Sequence, residues 1–389
     1  MYKEAIEELK SRGSERKEPS LEGTRKALEL LGSPEKDYDV VLVGGTNGKG
    51  SVVEMTSEML QHEGKNIGVY KSPHLVSIRE RIKVNGEMIS REEFLELYEL
   101  INGLDTELTF FEFVTVMAYL YFSKKDIDCA VMEVGMGGRL DATNAADNIG
   151  AVITNVGMDH SQYLGDTREE IAGEKAGIIP NKGFLVTGSD LRSIEKTAEK
   201  RGCEVLRPVS VKTVEEGFRF RDQSFELPVK GSYQKENLEN ALTLAGRLGS
   251  IPEDIGSSLE GLKCPGRMEK ISERPELVYD GAHNREAVEK IVDDIPEDSI
   301  CMFSAVETKD YVDMIDILEQ KVSKFYFTSS SEARSESPEV LSRATSKDFE
   351  VSRDPSEAMD DALGEAGPLD SVFVTGSLYL IRDLKRKRS

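Results

Sequence analysis

Strand-length apolar runs alternating with helix-period segments predict an α/β protein built on a doubly wound, mostly parallel sheet. Two observations carry the prediction. The runs Val40–Val43, Cys129–Val134 and Ala151–Val156 are nearly continuous, as strands buried on both faces are, and a glycine-rich or acidic motif follows each one. The motifs are Gly45-Thr46-Asn47-Gly48-Lys49-Gly50-Ser51, Glu133-Val134-Gly135-Met136-Gly137-Gly138 and Asp159-His160. Delivered to the carboxyl ends of parallel strands, a glycine loop, an acid and a histidine converge on one crevice, where open α/β sheets bind ligands.

The elements follow in order. Met1-Tyr2-Lys3-Glu4 opens a charged helix rather than a signal peptide. Tyr38–Val43 is the first strand, and an apolar-periodic helix runs from Ser51 to about His62. A strand at Asn66–Tyr70, a charged loop and a helix starting at the capping box Ser90-x-x-Glu93 come next. Strands at Cys129–Val134 and Ala151–Val156 continue the alternation. Between Glu204 and Leu227 the segments shorten, and Gly217–Phe220 with Gln223–Leu227 reads as a hairpin in a small β accessory. After Cys264-Pro265-Gly266-Arg267 the alternation restarts with strands at Glu276–Tyr279, Ile300–Ala305, Lys324–Thr328 and Ser371–Thr375. The expected division is therefore residues 1–268, carrying the phosphate loop, and a smaller α/β domain over 269–389, with the Pro-Gly pair at the joint.

Composition narrows the function. A 389-residue chain with 38% hydrophobic residues buries a large core. No apolar run is long enough to span a membrane, so a cytoplasmic location is expected. The net charge of −22 repels nucleic-acid phosphates over most of the surface, so an anionic substrate has to be met locally. Cys129, Cys203, Cys264 and Cys301 lack metal-ligand or disulfide spacing and read as free, buried thiols. The run Lys385-Arg386-Lys387-Arg388 reads as a solvated helix terminus.

The glycine loop departs from the general phosphate-loop spacing, because Gly50 separates Lys49 from Ser51. Its chemistry is intact: glycines let backbone N–H groups turn toward phosphate oxygens, Lys49 adds a point charge, and the following helix presents its positive end. Glu133 ends a buried strand, where a carboxylate is costly unless paired; a magnesium ion shared with nucleotide phosphates would pair it, and so would a salt bridge to Arg139. Asp141-Ala142-Thr143-Asn144 either binds substrate or only turns the chain. His160 is one of four histidines and, as a neutral imidazole, suits a divalent metal. Lys175, near a helix end, reads by itself as a solvated lysine. Lys71 to Lys83 concentrates basic charge, either for an anionic substrate or as a solvated face.

With these residues in place, the chain closely resembles the folylpolyglutamate synthase and dihydrofolate synthase family of the Mur-ligase superfamily. Besides the three motifs, the matching stretches are Ser72-Pro73-His74-Leu75, Arg139-Leu140-Asp141-Ala142-Thr143-Asn144, Leu164-Gly165, Glu174-Lys175-Ala176-Gly177-Ile178, Pro265-Gly266-Arg267, Asp280-Gly281-Ala282-His283-Asn284 and Thr375-Gly376-Ser377-Leu378-Tyr379-Leu380. The Gly50 insertion is itself the family's form. The resemblance implies a P-loop ATPase domain followed by a Rossmann-like domain, and an ATP-dependent ligase joining L-glutamate to a pteroate or folate carboxylate through an acyl phosphate. It implies ATP binding by Thr46, Asn47, Gly48, Lys49, Gly50, Ser51, Asn237, Arg267 and Asp280. Ser72 and Glu133 would ligate one Mg2+ and His160 a second, Lys175 would be carbamylated, and Asp141, His283 and Ser377 would meet substrate. Lys49, Lys175 and His283 are the catalytic candidates. The partners implied are small molecules alone, with neither nucleic acid nor membrane, and a monomer. The chain departs from the family at Leu42, at Lys71 and at Tyr233 of Tyr233-Gln234, where histidine, Thr or Ser, and histidine are usual. The same chemistry on another pterin or cofactor tail is the alternative, and a non-catalytic nucleotide switch a distant one.

Overall fold

Val40, Val41, Leu42 and Val43 are at most 1% exposed, so the strand they form, β1 (Asp39–Gly44), lies inside a sheet covered on both faces. The computed structural model describes residues 1–13, 20–249 and 251–388. The other strands of this sheet are β2 (Ile67–Tyr70), β3 (Ile82–Val84), β4 (Glu87–Met88), β5 (Cys129–Glu133), β6 (Gly150–Ile153), β7 (Phe184–Thr187) and β8 (Glu204–Leu206). Their order is β4-β3-β2-β5-β1-β6-β7-β8, with β3 and β4 antiparallel at one edge and the rest parallel. The chain passes from β1 to β2, comes back to insert β5 beside β1, and then crosses to β6 on the other flank. That reversal makes β1 the topological switch point.

A small antiparallel sheet follows, made of β9 (Lys212–Thr213), β10 (Phe218–Phe220) and β11 (Gln223–Phe225), the last two being the expected hairpin. The second large sheet contains β12 (Glu269–Glu273), β13 (Glu276–Tyr279), β14 (Ser299–Phe303), β15 (Val322–Phe327), β16 (Asp348–Val351) and β17 (Ser371–Thr375) in the order β12-β13-β17-β14-β15-β16. Only β12 is antiparallel. Here β17 returns between β13 and β14, a second switch point.

Contacts divide the chain into two units. The first holds Met1–Gly157, Ser161–Leu227 and Lys235–Leu262, and the second holds Met158–His160, Pro228–Gln234 and Lys263–Ser389. The first core gathers Leu42, Tyr70, Phe94, Phe113 and Met132, and the second gathers Cys301, Phe303, Phe325, Phe327 and Phe373. Among the described residues no helix is long and apolar enough to cross a membrane.

Several expectations need correction. The charged loop after Tyr70 contains β3 and β4, because Ile82 and Ile89 bury and Ile82–Val84 pairs with Gly68–Tyr70 of β2. The strand expected to reach Val156 stops at Ile153, since Thr154 and Asn155 turn their side chains to the glycine loop. The helix Phe110–Lys124 and strands β7, β8, β12 and β16 had no counterpart in the sequence reading. Cys203 is half-buried rather than buried, while the other three thiols are buried and all four are free. The basic terminus is partly tied down: Lys385 pairs with Glu269 at 2.6 Å and Lys387 with Asp354 at 2.8 Å. The Arg388 side chain lies outside the described residues.

Candidate active site

The glycine loop leaves β1 and is held almost entirely by backbone and neutral groups from the loop after β6. Thr46 N–H donates to the Asn155 carbonyl at 3.1 Å, and Asn47 N–H to Asn155 Oδ1 at 2.9 Å. Thr154 Oγ1 and Asn155 Nδ2 both donate to the Asn47 carbonyl, at 2.7 and 3.0 Å. Thr46 Oγ1 accepts the Gly157 N–H at 2.9 Å. Gly48 has φ +85°, and a Cβ there would lie 2.2 Å from Asn237 Oδ1, so only glycine allows both the turn and the buried amide behind it. Gly48 also stands at the cap of the helix Lys49–His62 without a side-chain cap, leaving the first N–H groups directed into the loop. Lys49 Nζ donates to the Gly45 and Thr46 carbonyls at 3.1 Å each, curling over the loop. Ser51 is buried at the start of that helix.

Glu133 ends β5, beside β1 and only 5% exposed. Its Oε2 accepts the Ser72 N–H at 3.0 Å, which brings Ser72 to the carboxylate. The salt bridge to Arg139 does not form, because Arg139 gives Nε and Nη2 to Glu174 at 3.1 and 3.0 Å. Nor is the basic stretch a solvated face. Lys71 and Lys83 both donate to Glu54 Oε1, at 2.7 and 2.9 Å, and buried Arg81 gives Nε to His74 Nδ1 at 2.9 Å. Burial pushes the Glu54 carboxyl up, but the two ammonium groups more than offset it and hold it below the usual range.

Lys175 is 4% exposed and ends the helix Arg168–Lys175, so it is not a solvated lysine. Gly177 explains why: a Cβ there would lie 2.3 Å from Arg139 Cα, so the loop after β5 packs directly on the turn that follows Lys175. Asp141 is buried and accepts Met136 N–H at 2.9 Å, Thr143 N–H at 3.1 Å and Thr143 Oγ1 at 2.6 Å. Burial raises its carboxyl despite these donors. Its visible work is to fold the Gly135–Asn144 loop.

In the second unit the residues after β13 gather around two buried carboxylates. Asp280 accepts Tyr233 Oη at 3.0 Å and Met268 N–H at 2.8 Å on Oδ2, and Ala282 N–H at 2.8 Å on Oδ1. Burial raises its carboxyl, with the Arg267 guanidinium opposing. Asp159 accepts Asn284 Nδ2 at 3.1 Å, faces His283 Nε2 at 3.5 Å and pairs with Lys309. Burial opposes its charge, yet the hydrogen bond from His283 and the charges of His283 and Lys309 hold it well below the usual range. His283 Nδ1 lies 2.9 Å from the Gly281 carbonyl, and burial pushes the imidazole down. Ser377, buried after β17, accepts the Tyr379 N–H at 3.1 Å. His160, in the left-handed region at φ +52°, is 41% exposed on its side chain and belongs to this unit.

The first unit thus brings together Thr46 to Ser51, Asn237, Ser72 and Glu133, and the second Asp159, Asp280, His283 and Asn284. Sequence reasoning missed Lys309 and Glu54. The signal for Lys309 was faint, a lysine in the loop after β14. Glu54 had none, being one of two acids in the helix Lys49–His62.

A lysine-bearing glycine loop at the switch point of a parallel sheet, with a buried carboxylate on the neighbouring strand, is the plan of a nucleotide-phosphate site, and the class of protein built on it here is an ATP-dependent ligase of the Mur type. Family models agree: the Mur ligase middle domain matches residues 43–248, and the Mur ligase glutamate ligase domain matches 266–378. The dihydrofolate synthase/folylpolyglutamate synthase of Bacillus subtilis is 33% identical over 95% of this chain and 95% of its own length. A Haloferax volcanii protein described as a bifunctional folylpolyglutamate synthase/dihydropteroate synthase is 33% identical over 99% of this chain, which spans only 50% of it. Escherichia coli FolC, solved with DHPP and ADP, superposes with a TM-score of 0.90 at 28% identity, covering 100% of this chain and 98% of that one. The Yersinia pestis bifunctional folylpolyglutamate synthase/dihydrofolate synthase, solved with AMPPNP and Mn, gives 0.89 at 28% identity, again covering 100% and 98%. The chain belongs to the folylpolyglutamate synthase/dihydrofolate synthase family.

Proposed function

We propose that this enzyme uses ATP to join the α-amino group of L-glutamate to a carboxylate of dihydropteroate or of a folate. The observation that carries the reading is the placement of Lys49 and the open helix start on β1 next to Glu133 on β5, whose neighbouring guanidinium is committed elsewhere. Thr46 and Asn47 fix the loop through their own N–H bonds to Asn155, and the N–H groups from Gly48 to Ser51 with the Lys49 ammonium hold the ATP phosphates. Asn237 faces the adenine, and Arg267 and Asp280 reach phosphate and ribose. Asp280 fits a hydroxyl, because three donors occupy a carboxylate that has about four acceptor positions.

A substrate carboxylate oxygen attacks the γ-phosphorus and ADP leaves, giving an acyl phosphate. The glutamate nitrogen then attacks the carbonyl carbon, a proton is lost, and phosphate departs with the acyl C–O bond. Lys49 neutralises charge on the phosphoryl group as it transfers. His283, with Nδ1 against Gly281, and Ser377 orient the incoming glutamate, and Asp141 shapes the substrate loop.

The donors fit a hard cation. A carboxylate and a hydroxyl are oxygen ligands, the kind that Mg2+ takes beside water and phosphates. Ser72 and Glu133 would hold one such ion and His160 another; when bound, they supply Lewis-acid charge neutralisation. Lys175 is carbamylated in this reading, which would turn a buried ammonium into an anion. We assign the ATP-handling half to residues 1–268 and the glutamate-handling half to 269–389. Free thiols and the use of ATP suit a cytoplasmic enzyme, which we take to act as a monomer.

The test is ADP release from ATP, Mg2+ and L-glutamate with dihydropteroate in one reaction and tetrahydrofolate in another, with the products weighed. A one-glutamate mass gain on either acceptor supports the reading and assigns the branch. ADP release with neither acceptor, from folded protein, would overturn the substrate class in favour of another pterin or cofactor tail.

A further inference from the structure

Lys71 lies directly before Ser72, whose N–H is bound to Glu133. Its side chain crosses the start of the phosphate-loop helix beside Gly50. Measured from the point where a Gly50 Cβ would stand, Lys71 Cε and Glu133 Oε2 are each 3.5 Å away and Glu133 Oε1 is 3.7 Å. The lysine tail and the carboxylate therefore flank one small space left by a glycine. The ammonium is a single bond beyond Cε, so rotation of the last torsions carries it toward either neighbour. In the structure it is bound to Glu54 Oε1 at 2.7 Å. We propose that Glu54 is a positioning residue that holds the Lys71 ammonium away from Glu133 and so reserves Glu133 for the divalent cation of the nucleotide site.

Three features support this. Glu54 is buried on the helix Lys49–His62, which packs against β2 and β5, and an ion pair there is little weakened by solvent. One oxygen of Glu54 serves two lysines, since Lys83 also donates to Oε1, at 2.9 Å. Removing Glu54 would release both ammonium groups together. Lys83 has a second acid near it, Glu58, whose carboxyl is raised by burial and by the Glu54 charge, with the Lys83 charge opposing. For Lys71 the acid flanking the same space is Glu133. A cation settling there would compete with the metal for one carboxylate.

The inference rests on the assignment of Glu133 as a metal ligand, and the experiment separates the two. Mn2+ affinity is measured by electron paramagnetic resonance on the full chain with AMPPNP. Thermal unfolding is followed in parallel, and so is the split of steady-state turnover into kcat and the Mg2+ concentration at half-maximal rate. Glu54→Gln should weaken Mn2+ binding by roughly tenfold, the usual scale for losing an outer-shell partner. Lys71→Met alone should leave it unchanged, and Glu54→Gln with Lys71→Met should recover the wild-type value. Unchanged affinity in Glu54→Gln overturns the proposal, and so does a loss that the second substitution does not repair, because a purely structural role would give the latter. If Glu54→Gln does not fold, Glu54→Asp, too short to reach both lysines, is read by the same fall and recovery. Wild-type Mn2+ affinity in a folded Glu133→Gln variant would instead overturn the metal assignment, and this proposal with it.

Discussion

The two switch points are built by opposite means. At the end of β1 the loop Gly45–Ser51 is held by backbone N–H and carbonyl groups and by the neutral side chains of Thr154, Asn155 and Thr46. At the end of β13 the chain is held by two buried carboxylates, Asp159 and Asp280, each ringed by donors from distant segments. A site that takes a polyanion is best made of N–H groups, with no fixed acid on the loop itself. The second site can hold buried acids because each is neutralised or hydrogen-bonded. The first region should therefore fail in function when changed, and the second in stability.

The sharpest test of that contrast is Lys49→Ala or Glu133→Ala. Turnover should fall by at least about 10³-fold, the scale of removing a transition-state electrostatic partner. The melting temperature should stay near wild type, because Lys49 donates to the carbonyls of its own loop, a turn that Thr154 and Asn155 also hold. Normal turnover in either folded variant would break the assignment.

Lys309→Met examines the other side. The Lys309 side chain is 9% exposed and Asp159 is its partner, so the substitution leaves a buried carboxylate short of its cation, at about 3–5 kcal/mol. Chemical denaturation followed by circular dichroism should show the loss in the second unit. The pH dependence has a fixed sign. The Asp159 carboxyl is depressed in the folded state, so its contribution is present above the unfolded value of about 4 and disappears as pH falls below that. Lys309→Met reduces the depression, so its stability should fall less steeply below about pH 4 than that of wild type. An equal slope would mean that Lys309 is not what holds Asp159 ionised.

The same contrast explains what could be read from the sequence. Glycines, continuous apolar strands and a lysine before a helix are local, so β1, β5, the phosphate loop and Glu133 were legible before any coordinates. The edge strands β3 and β4 were hidden because they are three and two residues long and the charged residues around them mask the burial of Ile82 and Ile89. Lys309 meets Asp159 across 150 positions, and Glu54 meets Lys71 across 17 and Lys83 across 29. Such pairs have no periodicity, so nothing local announces them. Lys175 taken by itself reads as solvated for a related reason: its burial goes with Gly177 lying against Arg139, a contact between two loops.

Tyr233→Phe is a milder probe of the second region. It removes one donor from Asp280 and leaves those of Met268 and Ala282. A hydrogen bond to a charged group contributes about 1.5–3 kcal/mol, and the lower end is expected because the carboxylate keeps two partners. Stability should fall by that amount, and the KM for ATP should rise more than kcat falls. A loss in kcat alone would place Tyr233 nearer the reacting groups than Asp280 suggests.

Arg139→Ala should have the smallest effect and is the most direct check on Glu133. Were Arg139 the counter-ion of Glu133, its removal would strand a buried carboxylate and cripple both folding and turnover. The guanidinium instead lies on Glu174, with side-chain exposures of 55% and 28%, and solvent screens such a pair to about 0.5 kcal/mol. Thermal unfolding and kcat of Arg139→Ala should therefore match wild type within about that margin. The backbone N–H of residue 139 still donates to the Glu174 carbonyl at 2.9 Å and keeps the loop on the Lys175 helix. A large loss of turnover without a loss of stability would return Arg139 to the site and take from Glu133 its claim to a metal.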